Sequence, residues 1–119
     1  MEISREQRAA IGEAVVRLER EFYGRGPRSV RVSVSDSDPY TVTVLSIDSL
    51  TAMDRTLSAR DLQAAVVSHH QALHEATTED FLTEIDKIVG RRPGSYLSQV
   101  DPSDGYAVRV FIFTMPEAD

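Results

Sequence analysis

Ile11, Val15, Leu18 and Phe22 recur at spacings of four, three and four, the period of one helical face. Ser4 and Gln7 ahead of them have the spacing of a capping box, and Gly24 behind them is the residue best able to take the left-handed turn that closes a helix. Pro27 lacks a backbone donor and biases Gly26 toward extended geometry, so the chain passes from the helix into a strand. In that strand Val30, Val32 and Val34 alternate with Arg31, Ser33 and Ser35. Asp36-Ser37-Asp38-Pro39 is dense in turn formers. Beyond it Tyr40, Val42 and Val44 share one face of a second strand, while Thr41, Thr43, Leu45 and Ile47 share the other.

The middle of the chain returns to helical spacing. Thr51-Ala52-Met53-Asp54 is a capping signal, and Leu50, Met53 and Leu57 predict a short helix. From Asp61 to Ala76, the residues Leu62, Val66, His69, Leu73 and Ala76 form an amphipathic stripe that gives His69 a packed position. Thr77-Thr78 is a place to break and recap before Phe81, Leu82, Ile85, Ile88 and Val89, so the pattern fits two helices or one bent one, closed at Gly90. A second hairpin runs from Pro93 to Met115 through Asp101-Pro102-Ser103-Asp104-Gly105. Its last strand has Ala107, Val108, Val110, Phe111, Ile112 and Phe113 on both faces, the pattern of a central strand covered on both sides.

Adding 66 to each number carries Gly24, Arg25, Pro27, Ser29, Val34, Ser37, Asp38, Tyr40, Val42 and Val44 onto identical residues from Gly90 to Val110, ten identities in 21 positions. Average residue usage gives roughly one or two. The reading is one α+β domain over 1–119, with duplicated helix–hairpin units at about 4–47 and 78–115 and a helical insert at 50–77. The first strand of each hairpin starts beside a proline, and Arg28, Arg31 and Arg92 suit edge positions, so the predicted antiparallel order is 1-2-4-3 with helices packed on it. The repeated helices then cover Val30, Val32, Val34, Val42, Val44, Val108, Val110 and Ile112. Leu45, Ile47, Leu97, Phe111 and Phe113 point the other way, as a candidate interface. Its two candidate covers are the inserted helix carrying Leu62, Val66 and Leu73, and a partner; a homodimer is the favoured expectation.

Composition narrows the chemistry. The 119 residues are 41% hydrophobic and 27% charged, ordinary for a globular chain, and a net charge of −6 opposes nucleic-acid binding. There is no cysteine, which excludes disulfides and thiolate metal sites. No apolar run reaches the length of a membrane span, and Met1 to Glu6 lack a signal-peptide layout, so a soluble, cytoplasmic protein is expected. The two joints contribute Tyr23, Arg25, Arg28, Arg91 and Arg92 as candidate anion or partner contacts. Both joints follow helix C-termini, whose carbonyls repel anions, and the proposed twofold relation puts them at opposite ends of the sheet; structural capping is the stronger reading. His70 and His74 have a metal-ligand spacing, with Glu75 or Asp80 as a third ligand, yet Gln71 stands where a zincin glutamate belongs. No metal or cofactor is expected. Ser98, Gln99 and Asp101 are where an enzyme hypothesis has to begin, but an edge strand and a turn account for them, and no nucleophile motif, phosphate loop or dinucleotide fingerprint occurs.

Tyr23-Gly24-Arg25-Gly26-Pro27 after an amphipathic helix, Leu50-Thr51-x-x-Asp54-Arg55-Thr56-Leu57 in the middle, Gly90-Arg91 before a strand, and Tyr96-Leu97-Ser98-Gln99-Val100-Asp101-Pro102 near the end resemble the MpsC-like family. The resemblance spans nearly the whole chain, from about Ser4 to Phe113. That family is named for the C component of a sodium-translocating, membrane-potential-generating system of bacteria. The resemblance implies a cytoplasmic domain, peripheral at the membrane, that accompanies membrane components of the system. It carries over no catalytic motif. Asp54 stands where the family more usually has glutamate, and the histidines of the middle helix are outside its pattern. The expected function is a non-catalytic accessory or interaction domain, self-associating or bound to membrane components; the alternative is a small-ligand or anion-binding sensor.

Overall fold

The computed structural model describes residues 1–114; Met115, the last residue of the second predicted unit, lies outside them. The elements are α1 (Arg5–Tyr23), β1 (Ser29–Ser35), β2 (Tyr40–Ile47), α2 (Ala52–Ala59), α3 (Gln63–Val89), β3 (Ser95–Val100) and β4 (Ala107–Phe113). The α1 capping box closes as its spacing predicts: the Gln7 N–H donates to Ser4 Oγ at 3.1 Å, and the Ser4 N–H donates to Gln7 Oε1 at 2.8 Å. Gly24 and Gly90 end α1 and α3 with φ of 86° and 80°, a conformation that penalises a β-carbon.

The four strands form one antiparallel sheet in the order β1-β2-β4-β3. Residues directly opposite each other share a face. Tyr40 opposes Phe113, Val42 opposes Phe111 and Val44 opposes Arg109, and this face receives Ile11, Val15 and Leu18 of α1 and Phe81, Leu82 and Ile85 of α3. Phe111 and Phe113, expected on the second face, are therefore core residues with no exposure. Val108, Val110 and Ile112, expected under the helices, oppose Leu45, Thr43 and Thr41 on the other face.

The inversion comes from the second turn. In the first hairpin Val34 pairs with Val42, whereas in the second Val100 pairs with Ala107 and not with Val108. The loop from Asp101 to Tyr106 is closed by hydrogen bonds from the Asp101 N–H to Tyr106 O and from the Gly105 N–H to Asp101 O. A shift of one residue turns every later side chain to the opposite face. Both hairpins follow a helix ended by a left-handed glycine and share one sheet, but the 66-residue correspondence of side-chain direction stops at the turns. Tyr40 is buried, and Tyr106, just outside β4, is 46% exposed.

Of the two readings open at Thr77-Thr78, two helices or one, the structure shows one: α3 is a single helix of 27 residues. The Thr77 and Thr78 hydroxyls donate to the carbonyls of Leu73 and His74 one turn back, so these side chains satisfy themselves inside the helix. Its inward stripe runs through Val66, His70, Leu73, Thr77, Phe81 and Ile85. His69, expected to pack, is exposed because Thr77 keeps that stripe continuous and turns His70 inward. Leu50, Val66, Val100 and Ala107, with Leu57 and Val67 against them, make a smaller second core, while Met53 of the predicted α2 stripe is 66% exposed. Val15→Ala and Ile85→Ala, each opening space in the main core, are expected to lower unfolding free energy by roughly 1–5 kcal/mol, against less than about 0.5 kcal/mol for Leu97→Ala. Chemical denaturation measures both.

Candidate functional site

Glu19 follows Val15 by one helical turn, on the apolar stripe of α1, and Arg109 lies in the middle of β4 on the face shared with Phe111. Both are 2% exposed. The Arg109 guanidinium donates to Glu19 Oε1 at 3.0 Å and to the Tyr96 hydroxyl at 2.7 Å, and Ser46 Oγ donates to the same carboxylate oxygen at 3.2 Å. The rings of Phe81 and Tyr23 lie 4.3 Å and 4.8 Å from the guanidinium carbon, a separation at which π-faces stabilise a cation. Tyr96 in turn stacks on Phe111 at 4.8 Å with the rings 2° from parallel.

Burial raises the Glu19 carboxyl above its usual value, although the Arg109 charge and the hydrogen bonds from Arg109 and Ser46 pull it back down. Burial also works against the Arg109 charge, but Tyr96, Glu19 and Tyr23 outweigh it and the guanidinium stays protonated. Burial pushes the Tyr96 hydroxyl up to about 12, opposed by Arg109. Among the described residues Glu19 Oε2 and Arg109 Nε have no hydrogen-bond partner. A cavity of about 20 Å3 beside the cluster is lined in part by Tyr23, His70, Ser98 and Arg109. That is space on the scale of a single water, far below the several hundred Å3 that a small-molecule site needs.

The two inward histidines stand at the edge of this cluster and are held apart. His70 Nε2 is 2.9 Å from Asp54 Oδ2, and its ring lies 5.5 Å from that of Tyr23. His74 Nδ1 is 2.6 Å from Ser98 Oγ, and its ring lies 4.5 Å from that of Tyr96. Among the described residues no three His, Asp or Glu side chains come together as a metal site. Asp54 also caps α2, accepting from the Thr51 N–H at 3.1 Å. Burial raises its carboxyl, but the bonds from His70 and Thr51 leave it below the usual range. Asp54 and His70 are thus direct partners, and Asp54 joins the cap of α2 to α3.

The joint residues have structural partners. Arg25 donates to both Asp48 carboxylate oxygens at 3.1–3.2 Å and to the carbonyls of Asp48 and Leu50 at 2.9 and 2.8 Å, tying the exit of α1 to the exit of β2. Arg91 donates to the Thr114 carbonyl, and Arg92 reaches both Glu79 oxygens at 2.8 Å. Arg28 is exposed, and Tyr23 belongs to the buried cluster. Ser29 pairs with Ile47 at one end of the sheet and Ser95 with Ile112 at the other, so the two arginine joints are at opposite ends and do not combine into one site. Of the candidate interface, Leu45, Ile47 and Leu97 lie on the face away from the helices, and Phe111 and Phe113 do not. Glu19 and Arg109 escaped the reading of the sequence. Their signal is one carboxylate in the apolar stripe of a helix and one arginine in the most apolar strand.

These features define a two-layer α+β protein with an ion pair sealed between helices and sheet and, among the described residues, nothing packed on the second sheet face. The family described as the Na+-translocating membrane potential-generating system (MpsC) matches residues 4–115, and the chain belongs to that family. Searches of curated proteins and of solved structures found no match.

Removing one member of a buried pair strands the other charge, so Arg109→Met is expected to destabilise by roughly 3–5 kcal/mol, and Glu19→Leu combined with Arg109→Met to recover most of that loss. Urea unfolding of the two single variants and the double variant checks this. Burial, then the nearby Arg109 charge, lowers the His74 pKa, with Glu75 opposing. The unfolded chain therefore takes the proton first, and the stabilisation from neutral His74 is complete above the unfolded value of 6.5 and lost as pH falls through the folded one. Glu19 acts in the opposite sense, its raised pKa favouring the fold as pH falls. Comparison of wild type with His74→Gln, which share Glu19, isolates the histidine: stability is expected to decline less in the variant between pH 7 and pH 5.

Proposed function

We propose that this protein is a non-catalytic accessory subunit of the Na+-translocating, membrane-potential-generating system named by its family, and that it works as a homodimer joined through the bare face of its sheet. The observation that carries the reading is the composition of that face. Leu45 and Ile47 from β2, Val108, Val110 and Ile112 from β4 and Leu97 from β3 lie together on it, with Thr41, Thr43 and Gln99 between them. Leu97 is 58% exposed and the others are partly exposed. Arg31, on the border strand, is its one charged residue.

A face without charge complementarity gives no preference for an oppositely charged partner, and it costs a second copy no like-charge contact. Sheets of this kind pack face to face about 10 Å apart. Strand spacings give each face roughly 450 Å2 in plan, so a pair removes about 1,000 Å2 from water, at the lower bound for a specific interface. The non-catalytic reading is supported by the tiny cavity at the buried cluster and by the structural partners of His70, His74 and Ser98. An anion sensor has less support, because Arg25, Arg91 and Arg92 are already engaged by carboxylates or carbonyls. The description of the family as a membrane potential-generating system supports a position of the dimer beside membrane components, on the cytoplasmic side; among the described residues no helix is long and apolar enough to cross a membrane itself.

Sedimentation at tens of micromolar tests the dimer. The wild type is expected at twice the chain mass, and Leu45→Glu and Val110→Glu at the chain mass with unchanged circular dichroism. A monomeric wild type removes the homodimer, and a dimer untouched by both folded variants moves the interface off this face.

A further inference from the structure

The bare face is not the only unpaired part of the sheet. β1 is an edge strand, and among the described residues nothing pairs with its outer side. Along that edge runs an open groove of about 620 Å3 between β1 and the flank of α1 that faces away from α3. Its floor is apolar and shallow in side chains: Ala9, Gly12 and Val16 from the helix, Val30 and Val32 from the strand. Gly12 is what brings helix and strand so close, since a β-carbon there would meet Val30 Cγ2 at 3.2 Å. The rim is basic. Arg5, Arg8, Arg17 and Arg20 line it against one carboxylate, Glu13, and of the four only Arg17 has a carboxylate partner among the described residues, Glu84 at 3.0 Å. A concentration of positive charge on a chain whose net charge is −6 defines a local field of opposite sign to the molecule.

We propose that this groove takes an extended segment of a partner protein that adds to β1 as a fifth strand, with groove-facing alternate residues that are apolar at the centre and acidic toward both ends. Three features select that occupant. The free N–H and C=O groups of an edge strand supply main-chain hydrogen bonds to an extended peptide, and alternate side chains of the peptide then point into the space beside the edge. Those inward side chains meet the apolar floor under Ala9, Gly12 and Val16 at the centre and the arginines at the two ends, Arg5 and Arg8 at one and Arg17 and Arg20 at the other. Pairing of β1 with the β1 of a second copy would bring two such rims together, so the charge that attracts an acidic segment repels self-addition at this edge. The bare face and this edge are separate surfaces, so a dimer through the face leaves the groove open to a partner.

The test uses the full chain and a fluorescein-labelled peptide of about ten residues in which threonine alternates with glutamate, valine, valine and glutamate at the groove-facing positions, the length of a strand that spans β1. Fluorescence anisotropy is expected to show saturable binding, weakened by roughly tenfold or more in Arg8→Glu/Arg20→Glu, whose altered residues are exposed and leave the core intact. Hydrogen exchange is expected to slow at β1 amides on peptide addition. A peptide with lysine in place of glutamate, and one N-methylated at alternate residues, are both expected to lose binding. Equal binding of the lysine peptide, indifference to N-methylation, or protection at a strand other than β1 would overturn the proposal. So would failure of the glutamate peptide to bind, including the case in which vesicles rich in phosphatidylglycerol bind instead and lose that binding in the arginine variant, which makes the groove a membrane contact.

Discussion

Among the described residues Arg109 is the only charged one on the helix-facing side of the sheet, and its position there depends on Glu19. β4 is apolar on both faces, so hydrophobicity alone does not choose which face turns inward. What distinguishes the two is that one alternation contains Phe111 and Phe113 together with an arginine. An unpaired buried guanidinium is prohibitive, and by that rule the arginine and both phenylalanines belong outside. A carboxylate placed opposite on α1, a hydroxyl from Tyr96 and two flanking aromatic rings reverse the balance, and the aromatic side of β4 becomes the core. The pair adds little net stability by itself, since desolvation offsets much of the attraction. Its effect is to make one register of β4 far better than the register one residue away.

Much of the architecture is visible in the sequence because it rests on local physics. The helix period, the capping box at Ser4 and the glycines at 24 and 90 place α1 and the end of α3, and the alternating valines with proline-flanked starts give the strand order, including β1 and β3 at the edges. What was not visible lies where two local signals compete. Thr77-Thr78 reads as a break because threonine caps helices, yet inside α3 the same hydroxyls bond one turn back and the helix continues. The near-identity of the two hairpins suggests equal registers, but the second turn closes one residue sooner, pairing Val100 with Ala107 where the first pairs Val34 with Val42. The candidate site was hardest to see: Glu19 and Arg109 are 90 residues apart, and each alone resembles an ordinary surface charge.

That shift determines what the protein presents outward. Burying Phe111 and Phe113 fills the space between sheet and helices with large rings and leaves the smaller Val108, Val110 and Ile112 on the bare side. The outer face is consequently largely apolar and almost free of charge, while the charged residues lie mainly on helix surfaces and in turns, with four arginines of α1 beside the β1 edge. The family to which the chain belongs is described as a Na+-translocating membrane potential-generating system. The neutral sheet face and the basic edge groove are the surfaces that the proposed accessory role would use.

The register of β4 tests this account most directly, because the core, the ion pair and the composition of the outer face all follow from it. Cross-strand nuclear Overhauser effects in the isotopically labelled protein report it without any substitution. The account predicts contacts between opposed backbone protons of Val44 and Arg109 and of Val42 and Phe111. Contacts that instead pair Val44 with Val110 and Val42 with Ile112 would contradict it, turning Arg109 and both phenylalanines to the outside.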